Sequence, residues 1–280
     1  MAYIIQDTTL SRIAEAIRAK NGTTDKIKVS DMAAMIKAIK AGGDGKEAAI
    51  IDRSITEYSN GSVETIGDYA FSHCNALTTV DLPAAASIGN SAFSYCGKLT
   101  TVDLTAATSI GDYAFSYCGK LTTVDIPAAT SIGVYTFYYC YSIETVVLPA
   151  ATLIGSQCFS SCDKLTTVDL PAATSIDSYA FGYCSSLTTV DLHAATQIGN
   201  YAFDGCTALK ALIIRTGQVC SLGADLGYGT DSCYIYVPRA LVNDYKAATN
   251  WAQYADKFRA LEDYTVDGTT TGELDTTKIQ

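Results

Sequence analysis

Histidine is nearly missing from this sequence: His73 and His193 are the only two in 280 residues. A zinc set completed by histidine therefore has little to draw on. Neither imidazole has a nucleophile fixed beside it, and a triad assembled in space has no candidate residue that the repeat described below leaves unexplained. Long apolar runs are missing too. No stretch of 18 apolar residues occurs, so no membrane insertion is expected. The opening MAYIIQDTTLSRIAEAIRAK is amphipathic, without the charged segment and apolar block of a secretory signal. Positive charge is scarce: 19 Lys and Arg stand against 29 Asp and Glu. The imbalance is uneven, with eight basic and five acidic residues in 1–46, and 11 and 24 in the remainder. So acidic a body is ill suited to a phosphate backbone, and nucleic acid is not an expected partner. The stretch AGGDGKE contains Gly-Lys but lacks the phosphate-loop spacing and its following Ser or Thr.

What the sequence does have is a repeat. Phenylalanine recurs at 71, 93, 115, 137, 159, 181 and 203, a step of 22 residues without insertion or deletion. Cysteine follows each by three positions, from Cys74 to Cys206, and an isoleucine precedes each by five, from Ile66 to Ile198. Leu or Ile comes six residues after each Phe, and Val or Leu nine after. A fixed period of this length means a solenoid, whose units bury their apolar faces against their neighbours. In LTTVDL, Val102 and Leu104 alternate with Thr101 and Asp103, the period of a half-buried strand. In IGDYAFSYC, the inward residues Ile110, Ala114, Phe115 and Cys118 fit a short helical turn.

Leu-x-x-Val-x-Leu followed by Ile-Gly-x-x-Ala-Phe-x-x-Cys resembles the BspA-like class of bacterial leucine-rich repeats, over about residues 62–215. The departures are small: Asp177 replaces the repeat's Gly, and Thr136 and Cys158 replace the Ala before Phe. The resemblance implies a right-handed leucine-rich-repeat solenoid, with parallel strands on one face and short helical or 3-10 turns on the other.

Four segments are expected: a helical module over 1–45, the seven-repeat solenoid over 46–215, a cap over 216–265 and a polar tail over 266–280. In the first, Leu10, Ile13, Ala14 and Ile17 keep helical spacing up to Gly22. Ser30 N-caps a second helix with Met35, Ile36 and Ile39 inward, ending at Gly42. This pair resembles the start of Firmicute prophage tail and surface proteins; the alternative, a DNA-binding helix-turn-helix, lacks a basic recognition face. After the repeats, a strand ending at Pro238 precedes helical spacing through Leu241, Tyr245, Trp251, Tyr254, Phe258 and Leu261. It suits a lid over the open end of the solenoid. VDGTTTGELDTTKIQ reads as a loose tail.

The ten cysteines read as structural. Seven share one repeat slot, where stacking points their Cβ vectors in parallel, a poor geometry for bridging, and buried thiols act as small apolar groups. Cys220 and Cys233, outside the repeats, are candidates for pairing with each other. Neither metal nor cofactor is expected. Outward strand positions hold Asp81, Asp103, Asp125, Asp169 and Asp191, with Val147 interrupting. They read as a solvated acidic face or as a docking face for a basic partner. Calcium wants more oxygens per site than one Asp per coil supplies.

The 19 tyrosines exceed what a core needs. They favour the slots two before and two after Phe, as in Tyr113 and Tyr117, Tyr135 and Tyr139, and Tyr179 and Tyr183. One coil, VYTFYYCY, holds Tyr135, Tyr138, Tyr139 and Tyr141. Such a ribbon either shields and stiffens the turn side, or forms a binding surface for a protein or glycan. The expected function is accordingly non-catalytic recognition. The resemblance implies attachment at a host or bacterial surface, placing the protein at a cell surface or, from its N-terminal segment, in a phage tail. A spacer without a ligand is the structural alternative. A hidden hydrolase or lyase would need paired carboxylates in unequal environments, which a regular ladder does not supply.

Overall fold

The computed structural model describes residues 53–275 and 277–279. The helix pair expected over residues 8–43 lies outside the described residues. Each 22-residue coil contributes two strands, and both pair in parallel with the equivalent strands of neighbouring coils. The first set runs Glu57–Ser59, Thr79–Asp81, Thr101–Asp103, Thr123–Asp125, Thr145–Val147, Thr167–Asp169, Thr189–Leu192 and Ala211–Ile214. The second consists of two-residue strands from Thr65–Ile66 to Ser221–Leu222 and forms one continuous eight-stranded ladder. Both follow from alternation: in Thr-Val-Asp the valine turns inward and the flanking polar residues outward.

The core is a column of rings. Phe71, Phe93, Phe115, Phe137, Phe159, Phe181 and Phe203 are fully buried. Their neighbouring centroids are 5.0–5.7 Å apart with planes within 9° of parallel. The cysteine slot has a specific use beside this column. The Cys96 thiol donates to the carbonyl of Phe71, one coil earlier, at 3.1 Å. Cys118, Cys140, Cys162, Cys184 and Cys206 repeat the contact. A small apolar group with one weak donor is what the position asks for.

The segment expected as a short helical or 3-10 turn keeps 3-10 bonds, at alternate residues only. Ala70, Ser72 and Cys74 donate to carbonyls three residues back, as in a 3-10 turn, but Tyr69, Phe71 and His73 donate to Asn90, Ala92 and Ser94 of the next coil. Alternate N–H groups thus serve the turn and the neighbouring coil. The backbone manages this by turning left-handed at the two tyrosine slots, with φ between 52° and 62° from Tyr69 to Tyr201.

The C-terminal end is closed as the open core requires. Strands Tyr234–Val237 and Phe258–Ala260 extend the first ladder. The amphipathic segment is broken where one helix was expected: the α-helix covers only Val242–Ala247, and Phe258 lies in a strand. Tyr245, Trp251 and Phe258 pack their rings over the last coil. The Trp251 indole donates to the Cys220 carbonyl, and the Cys220 N–H to the Tyr245 hydroxyl. Cys233 donates its backbone N–H to Thr230, and its thiol is not joined to Cys220: all ten cysteines are free and buried. The polar segment after 265 folds back rather than hanging loose. Thr265 bridges Leu274, and Leu274 and Ile279 pack beside Ala211, Ile213, Tyr236 and Leu261.

Candidate functional site

Two faces carry the residues singled out in the sequence. On the strand face, the in-register partner of Asp81 is Asp103. The strand ladder then stops between Asp103 and Asp125, and again between Asp169 and Asp191. It is unbroken across Val147, which stands between Asp125 and Asp169. Both interruptions therefore fall where carboxylate would meet carboxylate. The Asp81–Asp103 step stays paired, with the Ser59 hydroxyl donating to Asp81 at 2.8 Å, whereas the Asp169–Asp191 step is open although Arg215 neutralises Asp191. Like charges directly opposite each other destabilise a strand pair by roughly 0.2–1 kcal/mol, a cost that applies at the Asp103–Asp125 step, where no basic side chain among the described residues pairs with either carboxylate. We expect Asp125→Asn to raise the unfolding free energy at low salt by a few tenths to about 1 kcal/mol, read as a higher urea midpoint, with the gain shrinking at high salt. An unchanged midpoint at low salt would remove repulsion as the cause.

Asp191 does not belong to an open docking face. The Arg215 guanidinium, 6% exposed, binds it through two nitrogens at 2.7 and 2.8 Å. Arg215 also donates to the carbonyls of Thr270 and Gly272, so this pair ties the returning tail to the solenoid. His193 approaches Asp191 at 3.8 Å. Among the described residues, no group of three or more His, Cys, Asp and Glu is placed to hold a metal ion, and no helix is long and apolar enough to cross a membrane.

On the turn face the tyrosines form columns. His73, Tyr95, Tyr117 and Tyr139 stack in sequence at 4.6, 4.5 and 5.2 Å, nearly parallel. Tyr113 and Tyr135 stack in the second column at 4.7 Å. Tyr138 joins the two, meeting Tyr117, Tyr135 and Tyr139 edge-on. Tyr141 stands apart: its ring lies over Gly119, where any Cβ would fall 2.5 Å from it. Tyr179 tilts against Tyr201 at 5.3 Å, and Tyr183 lies two coils beyond Tyr139 in the same column. The binding residues expected from the sequence leave out Tyr95 and His73, although His73 stands in a surface slot that other coils fill with tyrosine. The slot rule already contained them, two residues after Phe93 and Phe71.

The electrostatics suit contact rather than catalysis. Burial and the neighbouring hydroxyls of Tyr139 and Tyr117 push Tyr138 up, and burial with Tyr95 and Tyr139 does the same for Tyr117. Burial and the Arg53 charge push His73 down, favouring the neutral ring that stacks on Tyr95. These groups stay neutral at physiological pH.

The model for the BspA type leucine rich repeat region matches in six copies, over residues 53–151 and 130–242. The chain belongs to the BspA-type leucine-rich-repeat family. Among solved structures, the T. pallidum leucine-rich-repeat protein is 30% identical, covering 52% of this chain and 72% of its own, with a TM-score of 0.49. A leucine-rich cell surface protein from Faecalibacterium prausnitzii is 21% identical over 66% of this chain and 73% of its own, TM-score 0.35. A leucine-rich-repeat protein from Bacteroides ovatus is 18% identical over 74% and 84%, TM-score 0.38. No curated protein matches this chain. The BspA-type match begins at residue 53, and none of these comparisons shows the prophage resemblance expected of the N-terminal segment. Solenoids of this family present extended surfaces on which proteins bind.

Proposed function

We propose that this BspA-type protein is a non-catalytic recognition protein that docks a surface protein through the tyrosine columns of its turn face. The observation that carries this is the backbone under the rings. Left-handed φ costs an L-residue with a side chain roughly 1–2 kcal/mol, and glycine, which avoids that cost, occupies the slot at Gly205 with φ +72°. Yet tyrosine fills most of these slots. Ring stacking offsets part of the strain, but the exposed faces and hydroxyls contribute nothing to it. Tyr95, Tyr113, Tyr117 and Tyr139 remain 37–43% exposed. Rigid, amphipathic rings at small entropic cost are the usual material of a binding surface. The cell-surface protein from F. prausnitzii and the resemblance to surface-attached repeat proteins support placement at a bacterial surface.

The test uses the repeat's own vocabulary. Tyr135→Gln, Tyr138→Ser and Tyr139→Ser together give the fourth coil the residues that the fifth carries at the same positions, Gln157, Ser160 and Ser161, so the fold tolerates each. Labelled wild type and variant are titrated on intact bacteria, on cell-wall glycans and on mammalian matrix glycoproteins. Binding to a protein target, weakened at least tenfold in a variant that melts normally, is the expected result. Matrix binding supports host adhesion, bacterial binding a tail-type receptor role. A glycan as the only target would replace the protein partner, and no difference between the two proteins on any target would leave the spacer as the function.

A further inference from the structure

Both aromatic columns are interrupted at the fifth coil, where Gln157 and Ser161 stand in the two tyrosine slots. Gln157 bridges its own gap, donating its side-chain amide to the Tyr135 hydroxyl. Ser161 is too short to reach either neighbouring ring, so Tyr139 and Tyr183 face each other across a missing rung. Coils repeat at the strand spacing of roughly 4.8 Å, which leaves these rings about 10 Å apart.

The far wall is held open. A Cβ at Gly205 would fall 2.7 Å from the Tyr183 ring, so the ring leans over that glycine, away from Ser161. The Asp204 carboxylate on that same far side pushes the Tyr183 hydroxyl pKa up. Tyr183 is consequently 55% exposed, against 37% for Tyr117, which has a ring on each face.

The geometry points to a slot between Tyr139 and Tyr183, floored by Ser161, that receives the guanidinium group of an arginine from a protein partner. This rests on the docking function proposed for the turn face. A flat group makes van der Waals contact at about 3.5–4.0 Å on each side, a span of about 7–8 Å. The open slot admits such a group, and a small return of Tyr183 closes on it. Charge selects a cation. Past residue 46 the chain carries 11 basic and 24 acidic residues, Asp163 follows the floor residue Ser161 by two, and Asp204 precedes Gly205, the glycine under the Tyr183 ring. Shape selects the guanidinium over an ammonium, since the planar group stacks on aromatic faces and is more weakly hydrated. The same chain already uses this contact elsewhere, with the Arg259 guanidinium 4.2 Å over the Tyr234 ring.

The experiment follows tyrosine ring protons by NMR in the intact protein, titrated with N-acetylarginine amide, N-acetyllysine amide, N-acetyltyrosine amide and N-acetylglucosamine. The arginine probe is expected to shift the Tyr139 and Tyr183 signals saturably in the millimolar range, several-fold more tightly than lysine. Ser161→Tyr restores the missing rung with a residue the neighbouring coils carry, and is expected to abolish those shifts. Ser161→Gly, which leaves the slot open, is expected to keep them. Shifts that persist in Ser161→Tyr, or that the sugar or the tyrosine probe saturates at lower concentration than arginine, overturn the slot as an arginine site. Docking to the protein target separates the two proposals. If Ser161→Tyr docks like wild type while the fourth-coil variant does not, the slot falls and the turn face stands. If neither variant changes docking, both fall.

Discussion

Above pH 9 this protein is expected to lose stability several times more steeply than a fold with one or two buried ionisable groups. The cause is the cysteine column. Burial pushes the thiols of Cys96, Cys118, Cys140, Cys158, Cys162 and Cys184 far up, and those of Cys220 and Cys233 up to about 12. In the unfolded chain the same thiols titrate near their ordinary value, about 8.5–9. As pH rises past 9, the unfolded state releases protons that the folded state keeps, so unfolding becomes progressively easier. The stability is fully present below about pH 9 and is lost above it. Each thiol contributes a slope of about 1.4 kcal/mol per pH unit once its unfolded form is ionised. The eight together approach about 11 kcal/mol per pH unit if all coils unfold as one.

Urea midpoints at pH 7, 8, 9, 10 and 10.5, under reducing conditions, measure this slope. It should be near zero below pH 8 and exceed three protons per molecule above pH 9.5. A slope below two protons would mean that the thiols are not kept protonated by the fold. Removing two of them, with Cys118→Ala and Cys140→Ala, should lower the count by two. In a solenoid the number also reports how many coils unfold together, because stability is a sum of units and interfaces. The same burial predicts that the native thiols resist iodoacetamide, since the thiolate is the nucleophile.

Much of this architecture was readable because one period governs it. Phe, Cys and Ile at fixed offsets located the core column, and Thr-Val-Asp located the outer strands. The turn was harder to read. Ile-Gly-x-x-Ala-Phe-x-x-Cys has helical spacing of its apolar residues, but in a solenoid an N–H can be satisfied by the next coil as well as by its own turn. Tyr69, Phe71 and His73 take the first option, which no local pattern encodes. The left-handed turns at the tyrosine slots were not legible either, because tyrosine is not a residue type enriched at positive φ. The cap was misread for a related reason. Phe258 keeps helical register with Trp251 and Tyr254, yet the open edge of Tyr234–Val237 offers it a strand partner. The folded-back tail was invisible because its anchor is Arg215, 55 residues from Thr270. On the turn face the slots were legible, whereas the lean of Tyr183 over Gly205 depends on what the next coil lacks.

Replacing the central ring of the core column should divide the solenoid. Phe137 is fully buried and stacks on Phe115 at 5.3 Å and on Phe159 at 5.2 Å. Phe137→Ala removes both stacks and leaves a cavity at the middle of a seven-ring column, a loss of about 3–5 kcal/mol. In a structure where each coil touches only its neighbours, that loss falls on the two interfaces of the fourth coil rather than on the whole. The C-terminal coils keep their lid of Tyr245, Trp251 and Phe258, so they should hold while the N-terminal coils melt. Trp251 is the only tryptophan and lies within that lid. Its fluorescence therefore follows the C-terminal half, while far-ultraviolet circular dichroism follows all coils. In wild type the two urea transitions should nearly coincide. In Phe137→Ala the circular dichroism should gain an earlier phase, with the Trp251 midpoint moved much less. Phe71→Ala, at the end of the column, should fray one coil and leave the main transition single. Coincident transitions in Phe137→Ala would mean that coupling along the ring column extends past nearest neighbours, and that the solenoid unfolds as one body despite the gap.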